Sequence, residues 1–487
     1  MRFSFSFIFV AVILSSACSQ EATGAQGSAS ISSDSRGVSG KHVYPGDVEA
    51  VLYQRDLHGA TQAYLWGQAL GTSYAFMDGN LRAADYMDFV TYVTPFEKRF
   101  IITSNLATPY MISTVNLSQT GGLVVLTVPE GPTGGIINDL QMRNVTDTGL
   151  AGPDRGQGGT YLIVGPGAEV PDDHGADHIA YSKTNKIWIG TRLLSTDPEE
   201  NDRMRDASKI SAYGQSSRTK VVSIGDTKYR GWAQFGIDYW KDLHEMIQDE
   251  PMGPEDAMAL EFLKRIGIEK GKPFEPTARQ LKLMEEAEAL GYTQSVATSA
   301  GRIYDGQLAQ SRYYPDKNWS KILNLTSIED HINSENGAMD LDSRTSYSHE
   351  AVSMSKGMTE DVVGVGSKYI AAYKDSDQNW LNGSNTYQLV VNKDVPAEQF
   401  WSVIAYRADT RTFVINEAMK PGVTSRDNLV ANQDGTVTVT FSSSCDSFEN
   451  CIETTDGQDF FVYFRVYAPK QAWFDKSWQL DEIRKLD

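Results

Sequence analysis

The stretch FFVYFRVYAP, Phe460–Pro469, is rich in aromatic and β-branched residues and ends at a proline, so it reads as a β-strand. One cation interrupts it. Side chains alternate along a strand, so Arg465 shares a face with Phe461, Tyr463 and Tyr467. A guanidinium among aromatic rings can clamp a carboxylate or stack on a ring, or it can belong to a buried structural pair. Upstream, TYQLVVN (386–392), FWSVIAYRA (400–408) and TVTVTFSS (436–443) are further strands, separated by Gly, Asn and Asp turns such as Gln433-Asp434-Gly435. From about residue 360 onward, the chain reads as an antiparallel, jelly-roll-like sandwich.

Similar punctuation recurs earlier. LVVLTVPEG (123–131), TYLIVGPG (160–167) and KIWIGTRLL (186–194) are short β runs closed by Gly or Pro, predicting a first sandwich or barrel-like domain. Residues 46–90 read as helix. In the middle, Trp232, Phe235, Tyr239, Leu243 and Met246 follow helical spacing up to Pro251. Met258, Phe262, Leu263 and Ile266 make a second stripe, ended by Gly267. Thr277 to Gln280 has the form of a capping box, opening a helix expected to run to Gly291. The expected fold class is mainly β with helical inserts (α+β): two antiparallel β-sandwich or jelly-roll-like domains, residues 41–225 and 356–487, joined by a helical segment, 226–355.

A chain of 487 residues is too long for one ordinary core. Its net charge of −19 excludes a nucleic-acid partner, since nothing would neutralise a phosphate backbone, and excludes docking on an anionic membrane by charge. Residues 1–17 read as a secretory signal peptide: Arg2, an apolar run from Phe7 to Leu14, then small residues before Cys18. Ser15-Ser16-Ala17-Cys18 resembles a bacterial lipobox, although Leu14 stands four residues before the cysteine and the usual leucine stands three before. The expectation is export to the periplasm or outer membrane of a Gram-negative bacterium, with lipid anchoring at Cys18 and a Ser/Gly tether to residue 40; a freely secreted protein is the alternative. In such a compartment Cys445 and Cys451 are expected to pair, with two buried thiols as the alternative.

DSDQNWLNGSNTYQLVV (375–391) poses a metal question. Asp375, Asp377 and Asn379 occupy positions 1, 3 and 5 of a calcium loop, but Trp380 stands where Gly is required and Thr386 where a bidentate Glu is required. The stretch reads as a turn entering a strand, with calcium a weak alternative and no other cofactor indicated. In PDDHGADH, His174 and His178 have zinc-compatible spacing, but Pro171 and Gly175 make the segment an acidic loop. No nucleophile elbow, P-loop, zinc-protease or dinucleotide motif occurs.

Polar residues inside apolar strands are the better site candidates. Arg192 ends the β run after Trp188. Asn105, Thr108 and Tyr110 place hydrogen-bonding groups at a strand start. Asp139 follows Ile136 and Ile137, where burial would raise its pKa. If the two sandwiches face each other, Asn105, Tyr110, Arg192, Tyr406 and Arg465 converge on one cleft, with Thr108 and Tyr467 as further binding groups and Tyr110 and Asp139 as the acid–base candidates.

Several ordered motifs add a resemblance. The segments D-x-x-x-x-W-L-x-G-S-N-x-Y-x-L from Asp375, PAEQFWSVIAYRADTR, SRDNLVANQDGTVTV and FFVYFRVYAPKQAWFDKSW resemble the bacterial domain of unknown function 1214. SNLATPYMISTVNLS, TYLIVGPG, TNKIWIGTRLL and IGIEKGKPFEP are similar to its partner, domain of unknown function 1254. Two departures stand out: Ala107 where that pattern carries Asp, and Asn450-Cys451-Ile452-Glu453-Thr454 where it carries Trp. The resemblance implies paired β domains with helical inserts in a cell-envelope protein, and no established reaction. The expected role is to bind, and to transform by hydrolase- or lyase-like chemistry, a small polar molecule or saccharide in an interdomain cleft. A non-catalytic binding or structural lipoprotein is the alternative, and whether the chain is an enzyme stays open.

Overall fold

Some strands of this protein are covered on both faces and others on one, and that difference builds its layers. The computed structural model describes residues 48–300, 312–322, 331, 338–416 and 419–486. The segments read as a signal peptide, lipidation site and tether lie outside the described residues. Helix α1 (Val48–Leu81) opens the described chain. Residues up to Arg55 form one unit, described only as the start of α1; Asp56–Asp487 form a second, compact unit.

The first half of that unit holds β1 (Phe89–Tyr92), β2 (Tyr110–Asn116), β3 (Leu123–Val128), β4 (Thr133–Asp139), β5 (Asn144–Gly149), β6 (Gly159–Val164), β7 (His178–Tyr181), β8 (Lys186–Leu193), α2 (Pro198–Ala207), β9 (Lys209–Ala212) and β10 (Val221–Ser223). They make two sheets. Sheet I has the order β10-β1-β2-β8-β4-β5 and sheet II the order β7-β6-β3-β9. Strand β3 is buried at alternate residues, so one face of sheet II meets solvent, whereas β2 and β8 are buried almost throughout. Met111, Val115, Ile187 and Ile189 of sheet I pack with Val124, Leu126, Tyr161 and Ile163 of sheet II. This is the first sandwich.

Helices α3 (Ile237–Asp249), α4 (Ala257–Arg265) and α5 (Ala278–Ala300) follow. Trp232 and Phe235 precede α3, which starts only after Gly236, a residue at φ 66° that breaks the helical path. The capping box at Thr277 and Gln280 forms, with the Gln280 N–H donating to Thr277 Oγ1 and the Thr277 N–H to Gln280 Oε1. Its helix passes Gly291, where an end was expected, and reaches Ala300. Gly291 is needed there for close approach: a Cβ would lie 2.3 Å from the Tyr64 ring of α1.

The last part comprises β11 (Ser320–Lys321), α6 (Leu341–Glu350), α7 (Lys356–Thr359), β12 (Ser367–Ala372), β13 (Tyr387–Val391), β14 (Ala397–Arg407), β15 (Gly422–Thr424), β16 (Val437–Ser442), β17 (Cys451–Glu453), β18 (Phe460–Pro469), α8 (Gln471–Phe474) and β19 (Arg484–Lys485). Sheet III runs β11-β12-β18-β14-β15 and sheet IV β17-β16-β13-β19. Ile370, Val403, Val462 and Phe464 of sheet III meet Leu389, Val391, Val439 and Phe441 of sheet IV in a second sandwich. All ten residues of β18 are buried, because sheet III is covered on its other face too. There Tyr369, Tyr406, Phe461 and Tyr463 pack with Met142, Tyr347 and Met354. The fold is thus β-rich with helical inserts. Sheets I, II and IV each include one parallel pair among antiparallel ones.

The halves are cross-linked by buried polar groups. Asn138 of β4 donates to the Met354 carbonyl and accepts from the Met354 N–H. Arg344 of α6 donates to the Trp66 carbonyl of α1 and to Gln141. Cys445 and Cys451 form a disulfide beside β16 and β17.

Candidate functional site: a cationic, tyrosine-walled cavity

Strand alternation decides which side chains leave the sandwich cores. In β2 and β8 the odd-numbered apolar residues enter the first core, which turns Tyr110, Ile112, Trp188, Gly190 and Arg192 to the opposite face of sheet I. In β12 and β18 the same rule turns Tyr369, Tyr463, Arg465 and Tyr467 away from the second core. These two outward faces, with the loop Ile101–Asn105 and residues 350–353, line a cavity of about 60 Å³.

Arg192 stands opposite Tyr110 in the β2–β8 register, and Arg465 opposite Tyr369 in the β12–β18 register. The Arg192 guanidinium lies 5.7 Å from the Tyr110 ring centre; that of Arg465 lies 5.2 Å from Tyr369 and 5.4 Å from Tyr406. Arg465 is 3% exposed and donates to the Ser104 carbonyl (3.1 Å), the Thr103 carbonyl and the Tyr406 hydroxyl. Its Nε has no partner. Neither arginine forms an ion pair among the described residues; tyrosine side chains surround both, and the Lys98 ammonium adds a like charge near Arg192. The Tyr369 hydroxyl lies close enough to favour the Arg192 charge, but no hydrogen bond of normal geometry joins them. The Asn105 Nδ2 is also buried without a partner. Glu350 is the one acidic residue in the lining. Its carboxylate accepts from Ser346, and its carbonyl accepts from Thr103 Oγ1.

The loop before β2 is held in an uncommon shape. Thr103 has φ 42°, and it is fixed by its N–H to the Arg411 carbonyl, its hydroxyl to Glu350 and its carbonyl to Arg465. The Asn105 N–H donates to the Tyr110 hydroxyl at 2.8 Å. Beneath this loop lies Lys98, fully buried, donating to the Asn105 and Thr108 carbonyls at 3.1 and 2.7 Å. Burial, reinforced by the Arg192 charge, brings its pKa down to about 7. Burial pushes the Tyr110 hydroxyl up, against the opposing pull of Arg192 and Arg465, so at neutral pH it is a hydrogen-bonding group and not a ready base.

Of the residues singled out in the sequence, Asn105, Tyr110, Arg192, Arg465 and Tyr467 line this cavity. Tyr406 stands behind the lining, where it receives a bond from Arg465 and donates to the Ser104 carbonyl. Thr108 lies outside the lining and offers its carbonyl to Lys98. Asp139 is also elsewhere. At the end of β4 it takes up Arg143 Nε at 2.6 Å and the N–H groups of Gln141 and Arg143, so it is a structural anchor. Asp375 Oδ1 accepts from the Asp377 and Asn379 N–H groups, closing the turn into β13, and no cluster suited to a metal ion occurs among the described residues. His174 caps its own loop, and His178 packs on the Tyr161 ring. Tyr369, Ser104 and Lys98 were missed. Tyr369 lies in SKYIAA, a strand too short to draw attention, and Lys98 stands between Glu97 and Arg99, which reads as solvated surface. Ala107, the departure from the family pattern, lies outside the lining, with its N–H on Asn105 Oδ1.

Fold and site together define a two-sandwich protein with a cationic cavity between the outward faces of its inner sheets. Residues 87–213 match the family described as Protein of unknown function (DUF1254), and residues 366–471 match Protein of unknown function (DUF1214). The chain therefore carries a DUF1254 region followed by a DUF1214 region. The structure is similar to that of the VPA0106 protein from Vibrio parahaemolyticus, with a TM-score of 0.52 and 17% identity over 89% of this chain and 100% of that one, a likeness of fold alone. An uncharacterized protein from Burkholderia cenocepacia shares 12% identity over 90% of this chain and 95% of its own, at a TM-score of 0.37. No curated protein matches the chain.

Proposed function

We propose that this protein is an exported, cell-envelope protein that binds a small organic anion in the cavity between sheets I and III. The observation that carries the reading is the pair Arg192 and Arg465: two guanidiniums in one cavity, with no carboxylate paired to either among the described residues. A desolvated cation without a counter-ion is costly, and an anionic ligand would offset that cost. The other unpartnered groups there, Asn105 Nδ2 and Arg465 Nε, are donors, which also suits an acceptor-rich ligand. A volume of about 60 Å³ favours a small acid over a saccharide ring. Binding is favoured over acid–base catalysis because Asp139 is tied to Arg143 and Tyr110 is held protonated.

The test is thermal unfolding against a panel of small carboxylates, for the wild type and Arg192→Met. Ligand at one hundred times Kd should stabilise the wild type by about 2.7 kcal/mol. Arg192 makes no hydrogen bond that its loss would break, so the variant should be as stable as the wild type, or more so, without ligand and should lose the response to it. A panel that moves neither protein removes the reading. Export and anchoring at Cys18 are part of the same proposal, resting on the N-terminal sequence. Metabolic labelling with a radioactive fatty acid should mark the wild type and not Cys18→Ser.

A further inference from the structure

The cavity has a direction. Along β8, Arg192, Gly190 and Trp188 face it in turn; on β4, Gly134 pairs with Arg192 and Ile136 with Gly190. Beyond the Arg192 end lies a second hollow of about 190 Å³, lined by Gly134, Ser355, Gly366, Ser367 and Gln399 among others. The two spaces share Ile136, Arg192, Met358 and Tyr467. The lining they share is therefore built of side chains, of which Arg192 and Met358 are long enough to change rotamer without shifting either sheet. At the other end the Trp188 ring lies across Gly190: a Cβ at Gly190 would stand 2.8 Å from Trp188 Cζ3. The benzo edge of the indole faces Gly190, and Phe76 meets the ring edge-on at 5.2 Å. The cationic end thus adjoins the second hollow, and the opposite end is aromatic.

Resting on the anion-binding reading, we infer that the ligand is a short monocarboxylate that enters apolar end first through the glycine-lined second hollow. Its carboxylate stays at the cationic end with Arg192 and Arg465, and its hydrocarbon body lies against Ile112, Ile136 and Trp188. Size sets the length. A dry cavity of about 150 Å³ holds benzene, so the smaller space here suits a body of roughly two to four carbons. Register agrees: Ile136 stands two residues from Gly134, the partner of Arg192, about 6.6 Å along the strand. A second carboxylate at the aromatic end would be desolvated without a cation, which disfavours dicarboxylates of equal length.

The experiment is calorimetric titration of the full chain with acetate, propanoate, butanoate, benzoate, succinate, sulfate and butanamide, followed by stopped-flow fluorescence. Propanoate or butanoate should bind best, with succinate and butanamide weaker by about tenfold or more. Succinate or sulfate binding as tightly as butanoate would overturn this inference and leave the anion reading standing. If no anion binds, both fall. Gly134→Leu should fill the second hollow, since a Cβ there makes only ordinary contact, 3.5 Å from Leu194. It should slow association and dissociation alike by about tenfold, whereas Met358→Ala should speed both. Rates unchanged in both variants would overturn entry by this route.

Discussion

Lys98 has a cost that depends on pH. Its folded pKa, about 7, lies below the 10.5 of the free side chain, so between those values the unfolded chain binds more protons than the folded one. Stability should therefore rise with pH across that window, by up to about 1.4 kcal/mol per pH unit from this group, and the penalty is fully present below pH 7. Denaturant titrations from pH 6.5 to 10 should show the slope in the wild type and a flatter profile in Lys98→Met. Equal slopes would mean that the ammonium is accommodated by its two carbonyls. The neutral amine still has N–H donors for both, so the loop beneath Tyr110 keeps its shape. Arg465 differs, because its bonds to Thr103 and Ser104 join the two halves. Arg465→Met should destabilise the protein by roughly 2–4 kcal/mol, in contrast to Arg192→Met, and urea midpoints separate the two. The polar residues in apolar strands were legible for a simple reason: a cation in a β run has no cheap place to go. Lys98 was not, because flanking charges mask burial.

Gly291 and the disulfide are tests at the level of elements. In an exposed helix, Gly→Ala gains about 1 kcal/mol. Here the new methyl would stand 2.3 Å from the Tyr64 ring, so packing decides, and Gly291→Ala should cost roughly 1–3 kcal/mol. A stabilised variant would show that α1 and α5 can separate freely. Cys445 and Cys451 close a short loop, and in the chain-entropy account their bond contributes about 2 kcal/mol. A Cys445→Ser/Cys451→Ser variant should lose about that much in a denaturant titration and keep its ligand, since the loop lies away from the cavity. The strands quoted from the sequence all form. The end of α5 was misread because glycine was taken for its conformational freedom, while this position uses its lack of a side chain.

At the scale of the whole molecule, sheets I and III both bury two faces. Splitting the chain between them would expose Tyr369, Tyr406, Phe461 and Tyr463 together. Calorimetry should accordingly show one cooperative transition for residues 56–487, and two separate transitions would contradict the packing described. No helix among the described residues is long and apolar enough to cross a membrane, so envelope attachment in the proposed role rests on Cys18.

The sequence by itself determined the strands, the helical inserts, the order of the two family regions and five of the polar residues that line the cavity, both arginines among them. It could do so because alternation, turn residues and motif spacing are local properties of the chain. Only the tertiary structure decided that Asp139 is spent on Arg143, that Tyr406 stands behind Arg465, and that Arg192 borders two hollows. The first depends on the turn after β4, the second on the pairing of β14 with β18, and the third on which faces of distant strands meet, and no local strand pattern carries that information.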